Sequence, residues 1–392
     1  MFRILTLNPI SQKGLEQLPT EYYEVSDSFS DPDAILVRSF KMHDMELSPA
    51  CKIITRAGAG TNNIPVDRCT DRGIVVCNTP GANANSVKEL VLAALFLSSR
   101  KIIEGVTWVN SLKKGTGDIA KLVEKEKSRF AGPEIGGKTL GVIGLGAIGV
   151  MVANDALALG MRVIGYDPFI SIESAWGLSR NVIRARSLDS LLGESDYLTL
   201  HVPLDEATEG MISHKRFRAM KKGVRILNFS RGGVVKQKDL ANALREGTVA
   251  SYITDFPDDE VLSMEHTLAI PHLGASTPEA EDNCAVMAAR QTKEFLEWGN
   301  IRNSVNFPDC EMQFSGNRRI LISNKNIPGV VGQITNIMAQ EKINIADMLN
   351  RSKESAAYNI IDIDGDISQE SISRIQTIEG VTGVRVLYLE EQ

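Results

Sequence analysis

Cysteine is sparse and unpaired in this sequence. Its five cysteines (Cys51, Cys69, Cys77, Cys284 and Cys310) lie far apart, odd in number and without a CxxC pair. That pattern argues against a disulfide framework and a zinc site, and it fits a reducing, cytoplasmic setting. No basic block accompanies the formal net charge of −6, so nucleic acid is not an expected partner. The helix-like run SVKELVLAALFLSSR (86–100) contains Lys88 and Glu89, and its apolar core is too short to span a bilayer. No membrane partner is expected. The opening MFRILTLNPI has neither a charged leader nor a long apolar core, and reads as a first strand rather than a signal peptide. There is no long low-complexity tract, no evident Ser-His-Asp spacing and no metal-ligand cluster.

What is present is ordinary globular material, 43% apolar and 23% charged over 392 residues, enough for about two to three domains. Short apolar runs alternate with helical patterns, which points to parallel α/β architecture. Strands are expected at 3–8, 34–37, 52–55 and 74–77, and again at 140–144, 162–166, 197–202, 224–229, 249–254 and 267–270. After the polar, turn-rich stretch FPDCEMQFSGN (307–317) the pattern changes. Strands at 319–323, 344–352, 358–364 and 381–389, with helices at 327–341 and 368–380, give the order βαββαβ of a ferredoxin-like module.

GLGAIG (144–149) matches G-x-G-x-x-G, follows the apolar run TLGVI and precedes a helical pattern. Gly144 makes the tight turn, Gly146 admits a pyrophosphate, and Gly149 permits close helix packing. The helix start at Ala147 and Ile148 offers free N–H groups to phosphate. Asp167 ends the next strand, where a carboxylate can accept hydrogen bonds from a ribose 2′-OH and repel a 2′-phosphate. NAD is therefore expected over NADP. The alternative for Asp167 is a turn residue before Pro168.

In an open parallel sheet, ligands bind beyond the carboxyl ends of the strands. Polar or turn residues recur there: Pro203 after YLTLHV, Ser230 and Arg231 after VRILNF, Asp255 after VASYIT, and His272 and Gly274 after TLAIP. An NAD site needs a general acid/base and a cation for a substrate carboxylate or carbonyl. His272 suits the first role. Arg231 suits the second through its bidentate fork. A carboxylate beside His272 would stabilise the imidazolium, and Glu260 is the candidate. His43, His201, His214 and His266 read as structural or surface groups.

GLGAIG with Asp167, NFSRGG with Arg231, DFPDDE with Glu260 and PHLGAS with His272 resemble, in that order, the D-isomer-specific 2-hydroxyacid dehydrogenases. The resemblance covers residues 1–308. It implies a flavodoxin-like substrate domain (1–83 and 275–308), an NAD-binding Rossmann domain (84–274), and a cleft between them with hinges near residues 84 and 275. It implies catalytic roles for Arg231, Glu260 and His272. Cofactor contacts would come from Gly144, Gly146, Ala147, Ile148, Gly149, Asp167, Pro203, Ser230, Asp255 and Gly274. The first region adds Arg38 with Ser39 after one strand, and Arg56 with Gly58 in ITRAGAG, as substrate-binding groups; two arginines suit a doubly anionic substrate. Lys127 and Arg129 are a looser match to basic residues that reach a neighbouring subunit's site, with a solvated helix end as the plainer reading.

After a linker (309–317), the module at 318–392 is similar to ACT domains, which sense small ligands. With it attached, the resemblance implies oxidation of 3-phosphoglycerate to 3-phosphohydroxypyruvate, the first step of L-serine biosynthesis. It also implies a homodimer or homotetramer, and L-serine as a ligand near Asn324, Asn326 and Asn344. Two departures stand out. Val261 replaces the usual proline after the glutamate, and Asn324 stands where some serine-inhibited members carry histidine. The alternatives are a dehydrogenase for another 2-hydroxy acid, such as 2-hydroxyglutarate, and a non-catalytic protein sensing NAD or an amino acid.

Overall fold

The computed structural model describes residues 1–112 and 117–388. The chain forms two units, one of residues 1–82 with 281–392 and one of residues 83–280.

The first unit opens with five parallel strands: β1 (Phe2–Leu7), β2 (Tyr23–Ser26), β3 (Ala34–Val37), β4 (Ile53–Arg56) and β5 (Val75–Cys77). Their order is β2-β1-β3-β4-β5, the flavodoxin-like arrangement. Both faces are apolar because both are covered. Ala34 and Leu36 of β3 point into one core, while Ile35 and Val37 point into another. Strand β2 is not among the strands expected from sequence. YEVS is a short, half-polar edge strand and carries no apolar run.

The second unit holds β6 (Thr139–Ile143), β7 (Arg162–Tyr166), β8 (Ile183–Arg184), β9 (Tyr197–Leu200), β10 (Val224–Asn228), β11 (Val249–Thr254) and β12 (Thr267–Ala269). The order β12-β11-β10-β9-β6-β7-β8 is doubly wound, and the direction of winding reverses between β6 and β9. Helices α1 (Ala84–Ser99) and α2 (Ala147–Ala158) cover one face, with Val91, Leu95, Val152 and Ala153 packed on Leu140, Val142, Val163 and Ile253. The other face carries Leu198, Leu200, Ile226 and Tyr252.

Helix α3 (Pro278–Trp298) leads back into the first unit. The stretch that follows lacks regular structure but is not loose. Phe307 and Cys310 are buried in the core of the first sheet, and the backbone N–H of Ser315 donates to Asp362 Oδ2 at 2.7 Å. The C-terminal module then runs β13 (Arg318–Lys325), α4 (Val330–Gln340), β14 (Asn344–Lys353), β15 (Ala356–Asp364), α5 (Gln369–Gln376) and β16 (Val381–Tyr388). Leu389, also expected in the last strand, lies outside the described residues. The sheet is antiparallel in the order β14-β15-β13-β16, the ferredoxin-like topology. Alternation along β13 explains the packing. Ile320 and Ile322 face α4 and α5. Leu321, with Tyr358 and Ile360 of β15, joins the core of the first sheet beside Phe295, Leu296 and Phe307. Arg319 lies on that same face, wholly buried, bonded to Asp362 and to the Trp298 carbonyl. Among the described residues no helix is long and apolar enough to cross a membrane.

Candidate active site

The winding reversal sets the GLGAIG loop at the end of β6 beside the end of β9. Gly144 has φ +88°, and a Cβ there would lie 2.5 Å from the His201 carbonyl oxygen. A Cβ on Gly149 would lie 2.0 Å from the Gly144 carbonyl. Both positions therefore need glycine. A Cβ on Gly146 would meet nothing within 4 Å, so the loop's outer face is open. The first N–H groups of α2, from Ala147 onward, have no carbonyl one turn earlier to bond and point out of the helix start. Asp167 ties this loop to the next strand end. Its Oδ2 accepts the Leu145 N–H and its Oδ1 the Phe169 N–H, both at 2.8 Å. Each oxygen keeps acceptor capacity for a hydroxyl. Open glycines, a helix N-terminus and a carboxylate together fit a dinucleotide with a free ribose 2′-OH.

At the next strand ends the side chains are fixed by groups that sequence reasoning missed. Asn228 is buried at the end of β10. Its Nδ2 donates to the Arg231 carbonyl at 2.9 Å, and its Oδ1 accepts the Ser230 hydroxyl at 2.9 Å. This holds the NFSRGG turn and leaves the Arg231 side chain exposed, with Nη1 donating to the Ser230 carbonyl at 2.7 Å. A polar residue closing an apolar strand was the available signal for Asn228. Pro203 is exposed beyond β9. His201, in front of it, hydrogen-bonds Thr199 Oγ1 through Nε2 at 2.9 Å, and burial pushes its imidazole down to about 4, so it is neutral.

Asp255 closes β11 and is only 2% exposed. Its Oδ2 lies 4.0 Å from His272 Nε2, while its Oδ1 is buried without a hydrogen-bond partner among the described residues. Burial raises this carboxyl above its ordinary range, against the opposing pull of His272, Arg231 and the Gly274 N–H. A Cβ on Gly274 would sit 3.6 Å from Asp255 Oδ2. The His272 side chain is 61% exposed and packs edge-on against Phe256 at 4.8 Å. Arg231, Asp255, His272 and Gly274 are therefore brought together. Glu260 is not among them. It sits exposed on the short helical turn Asp259–Leu262, and no ion pair or hydrogen bond joins it to His272 among the described residues.

In the first unit, Arg38 and Arg56 close the adjacent strands β3 and β4. Arg56 Nε donates to the Arg38 carbonyl at 2.9 Å, and its Nη1 donates to the Gly60 carbonyl. Burial, with Arg38 close by, lowers the affinity of Arg56 for its proton. Asn8, also unforeseen, gathers the N–H groups of Arg38, Ser39 and Phe40 on its Oδ1. Gly58, at φ +152°, donates its N–H to Thr79 Oγ1 at 2.8 Å.

Residues 92–274 match the family model described as D-isomer specific 2-hydroxyacid dehydrogenase, NAD binding domain. The D-3-phosphoglycerate dehydrogenase of Escherichia coli is 31% identical over 416 residues, covering 98% of this chain and 97% of that one. The chain belongs to the D-isomer specific 2-hydroxyacid dehydrogenase family. Its second unit contains the NAD-binding domain of that family. The D-3-phosphoglycerate dehydrogenase of Archaeoglobus fulgidus is 35% identical, but the chain spans only 60% of that relative's length. Among solved structures, the NAD+-bound 3-phosphoglycerate dehydrogenase of Entamoeba histolytica is 28% identical, with a TM-score of 0.61 over 78% of this chain and 98% of that one.

Other expected site residues of this dehydrogenase-family chain have local partners. Lys127 and Arg129 form exposed pairs with Glu124 at 2.5 Å and Glu126 at 3.0 Å, three residues apart in each case. In the C-terminal module, Asn324 is buried, donating to the Lys325 carbonyl and accepting from Asn359 Nδ2, both at 2.7 Å. Asn326 is exposed and donates to the Glu354 carbonyl at 3.1 Å. Asn344, also exposed, donates to Asp364 at 2.7 Å.

Proposed function

We propose that the protein is a D-3-phosphoglycerate dehydrogenase, interconverting 3-phosphoglycerate and 3-phosphohydroxypyruvate with NAD at the entry to L-serine biosynthesis. The observation that carries this reading is the end-to-end match to the Escherichia coli enzyme of that name, including the C-terminal module. The paired Arg38 and Arg56 add support, because a phosphate calls for guanidinium donors beyond the one that holds the carboxylate.

The roles follow from chemistry and placement. NAD would rest on Gly144, Gly146, Ala147, Ile148 and Gly149, with Asp167 on its ribose and Pro203, Ser230, Asp255 and Gly274 along the same strand ends; it supplies the hydride acceptor. His272 takes the hydroxyl proton as the carbonyl forms, and returns it in reduction. Asp255, held against the ring, stabilises the imidazolium; Glu260 keeps its assignment as the second carboxylate for this task. Arg231 clamps the carboxylate and the developing carbonyl oxygen, which its freely presented guanidinium suits. Arg38 and Arg56, with Ser39 and the Gly58 backbone, receive the phosphate.

L-serine is the ligand proposed for the C-terminal module. Asn324 is buried, so recognition there rests on the exposed Asn326 and Asn344. A homodimer or homotetramer is the assembly proposed. The five cysteines are free and buried, which supports a cytoplasmic setting.

The test is NADH consumption with 3-phosphohydroxypyruvate against pyruvate, 2-oxoglutarate and glyoxylate, each with and without L-serine. Fast turnover of the phosphorylated substrate is expected. Turnover of 2-oxoglutarate alone would move the two arginines to a dicarboxylate. NADH binding without turnover of any of them would make the protein a sensor.

A further inference from the structure

We propose that Glu281 is a specificity-determining residue, an internal anion seated on Arg38 that a substrate's second anionic group must displace. The inference rests on the reading of Arg38 as a substrate group. Arg38 and Arg56 extend from neighbouring parallel strands, with Val37 in register with Arg56. Their situations differ. Arg56 turns its donors to backbone carbonyls, Nε to Arg38 and Nη1 to Gly60. The Arg38 guanidinium is half-exposed, and its side-chain bond among the described residues runs from Nη2 to Glu281 Oε1.

Glu281 is well placed to hold that position. It lies in the first turn of α3, where the Thr277 hydroxyl accepts the Ala280 N–H at 3.1 Å and fixes the helix start. One turn later Cys284 lies within electrostatic reach of Arg38, Arg56 and Glu281, so this stretch of the helix runs beside both cations. The carboxylate thereby cancels one of two neighbouring positive charges. A monoanionic 2-oxo acid has no use for Arg38 once its carboxylate is held elsewhere. A phosphorylated acid does, and it must compete with Glu281 for the guanidinium. The pair raises the threshold for every second anion and favours phosphate, which carries more charge than a carboxylate.

The test compares Glu281→Gln, which keeps size and removes charge, with Glu281→Asp, which keeps charge. In Glu281→Gln, KM for 3-phosphohydroxypyruvate falls about threefold to fivefold, the range of a half-exposed ion pair. The kcat is unchanged, and so is KM for pyruvate. The effect shrinks at high salt. Glu281→Asp gives no fall in KM. Calorimetric titration of 3-phosphoglycerate reads the same tightening without turnover. An unchanged or raised KM and Kd in Glu281→Gln would overturn the inference, the raised values marking Glu281 as a support for Arg38. Tightening without turnover in any variant would sink the proposed reaction and leave this inference standing. Turnover with unchanged constants would do the reverse.

Discussion

Asp255 and His272 form a pair in which one partner is buried and the other exposed, 4.0 Å apart, and the second carboxylate oxygen of Asp255 has no partner among the described residues. Such a carboxylate costs stability when charged and is useful when the ring beside it is charged. Burial raises its pKa above the unfolded value of about 3.9. The sign follows. A raised carboxyl favours the folded state while protonated, and that advantage is lost as pH rises through the folded value. Asp255→Asn should therefore melt above the parent at neutral pH, by about 2–4 °C for roughly 1 kcal/mol. The gap should close as pH falls toward 4. Activity should drop in the same variant, because the imidazolium has lost its neighbour. A thermal melt across pH, beside a pH–rate profile, checks both. Equal melting at all pH values would show that the carboxylate is not strained by burial.

Glu260→Gln separates the two carboxylates. Glu260 is exposed and not joined to His272 among the described residues. With Asp255 beside the ring and Glu260 a second carboxylate for the same task, Glu260→Gln lowers kcat by about tenfold at most, while His272→Asn loses about a hundredfold or more. Steady-state kinetics with NADH affinity measured in parallel makes the distinction. A Glu260→Gln loss as deep as that of His272→Asn would mean that the loop at 256–266 carries Glu260 to the ring during turnover.

The legible parts of this chain are those where chemistry is local. AILV at 34–37 is buried on both faces and reads as a strand from its letters alone. The glycine loop carries its own spacing, and each strand mouth shows a polar residue. What escaped the sequence depends on distance. DFPDDE offers four carboxylates within six positions, and only the fold says that Asp255 is the one pointed at His272. Asn8 and Asn228 fall inside expected strands, yet they hold the Arg38 and Arg231 stretches through bonds that no spacing rule encodes. Arg319 merely opens the strand expected at 319–323. Its burial becomes visible only when Asp362, 43 residues later, lies beside it in the sheet.

Asp167 holds its loop through two backbone N–H groups, and the proposed ribose contact would give it a second task, which a substitution should expose. Its carboxylate accepts two backbone N–H groups and keeps capacity for a ribose hydroxyl. Asp167→Ala should weaken NAD by about tenfold to a hundredfold, the worth of hydrogen bonds to a charged acceptor. NADP should be unaffected or improved, since a repulsive charge is gone. Titrating both cofactors by fluorescence checks this. Equal weakening of the two would assign Asp167 to holding the loop alone.

Within the first unit, a buried ion pair of the C-terminal module also reaches the helix that precedes it. Arg319 and Asp362 are both 0% exposed. The guanidinium bonds both carboxylate oxygens, at 2.7 and 2.8 Å, and spends its remaining arm on the Trp298 carbonyl at 2.9 Å, at the end of α3. The pair stands in a shared core, with Leu321, Tyr358 and Ile360 packed against Phe295 and Phe307. Removing one partner leaves the other charge buried and unpaired, at roughly 3–5 kcal/mol, whereas replacing both by apolar groups is often neutral. Arg319→Met should lower the melting temperature by on the order of 10 °C. Adding Asp362→Leu should recover most of the loss. A chain cut at residue 316 should lose the fold around the first sheet, because the cut exposes the face that Leu321 and Tyr358 cover. Thermal melts of the two variants and limited proteolysis of the cut chain read these outcomes. A truncated protein that melts like the parent would show that the module is an appendage rather than a wall of the first sheet's core.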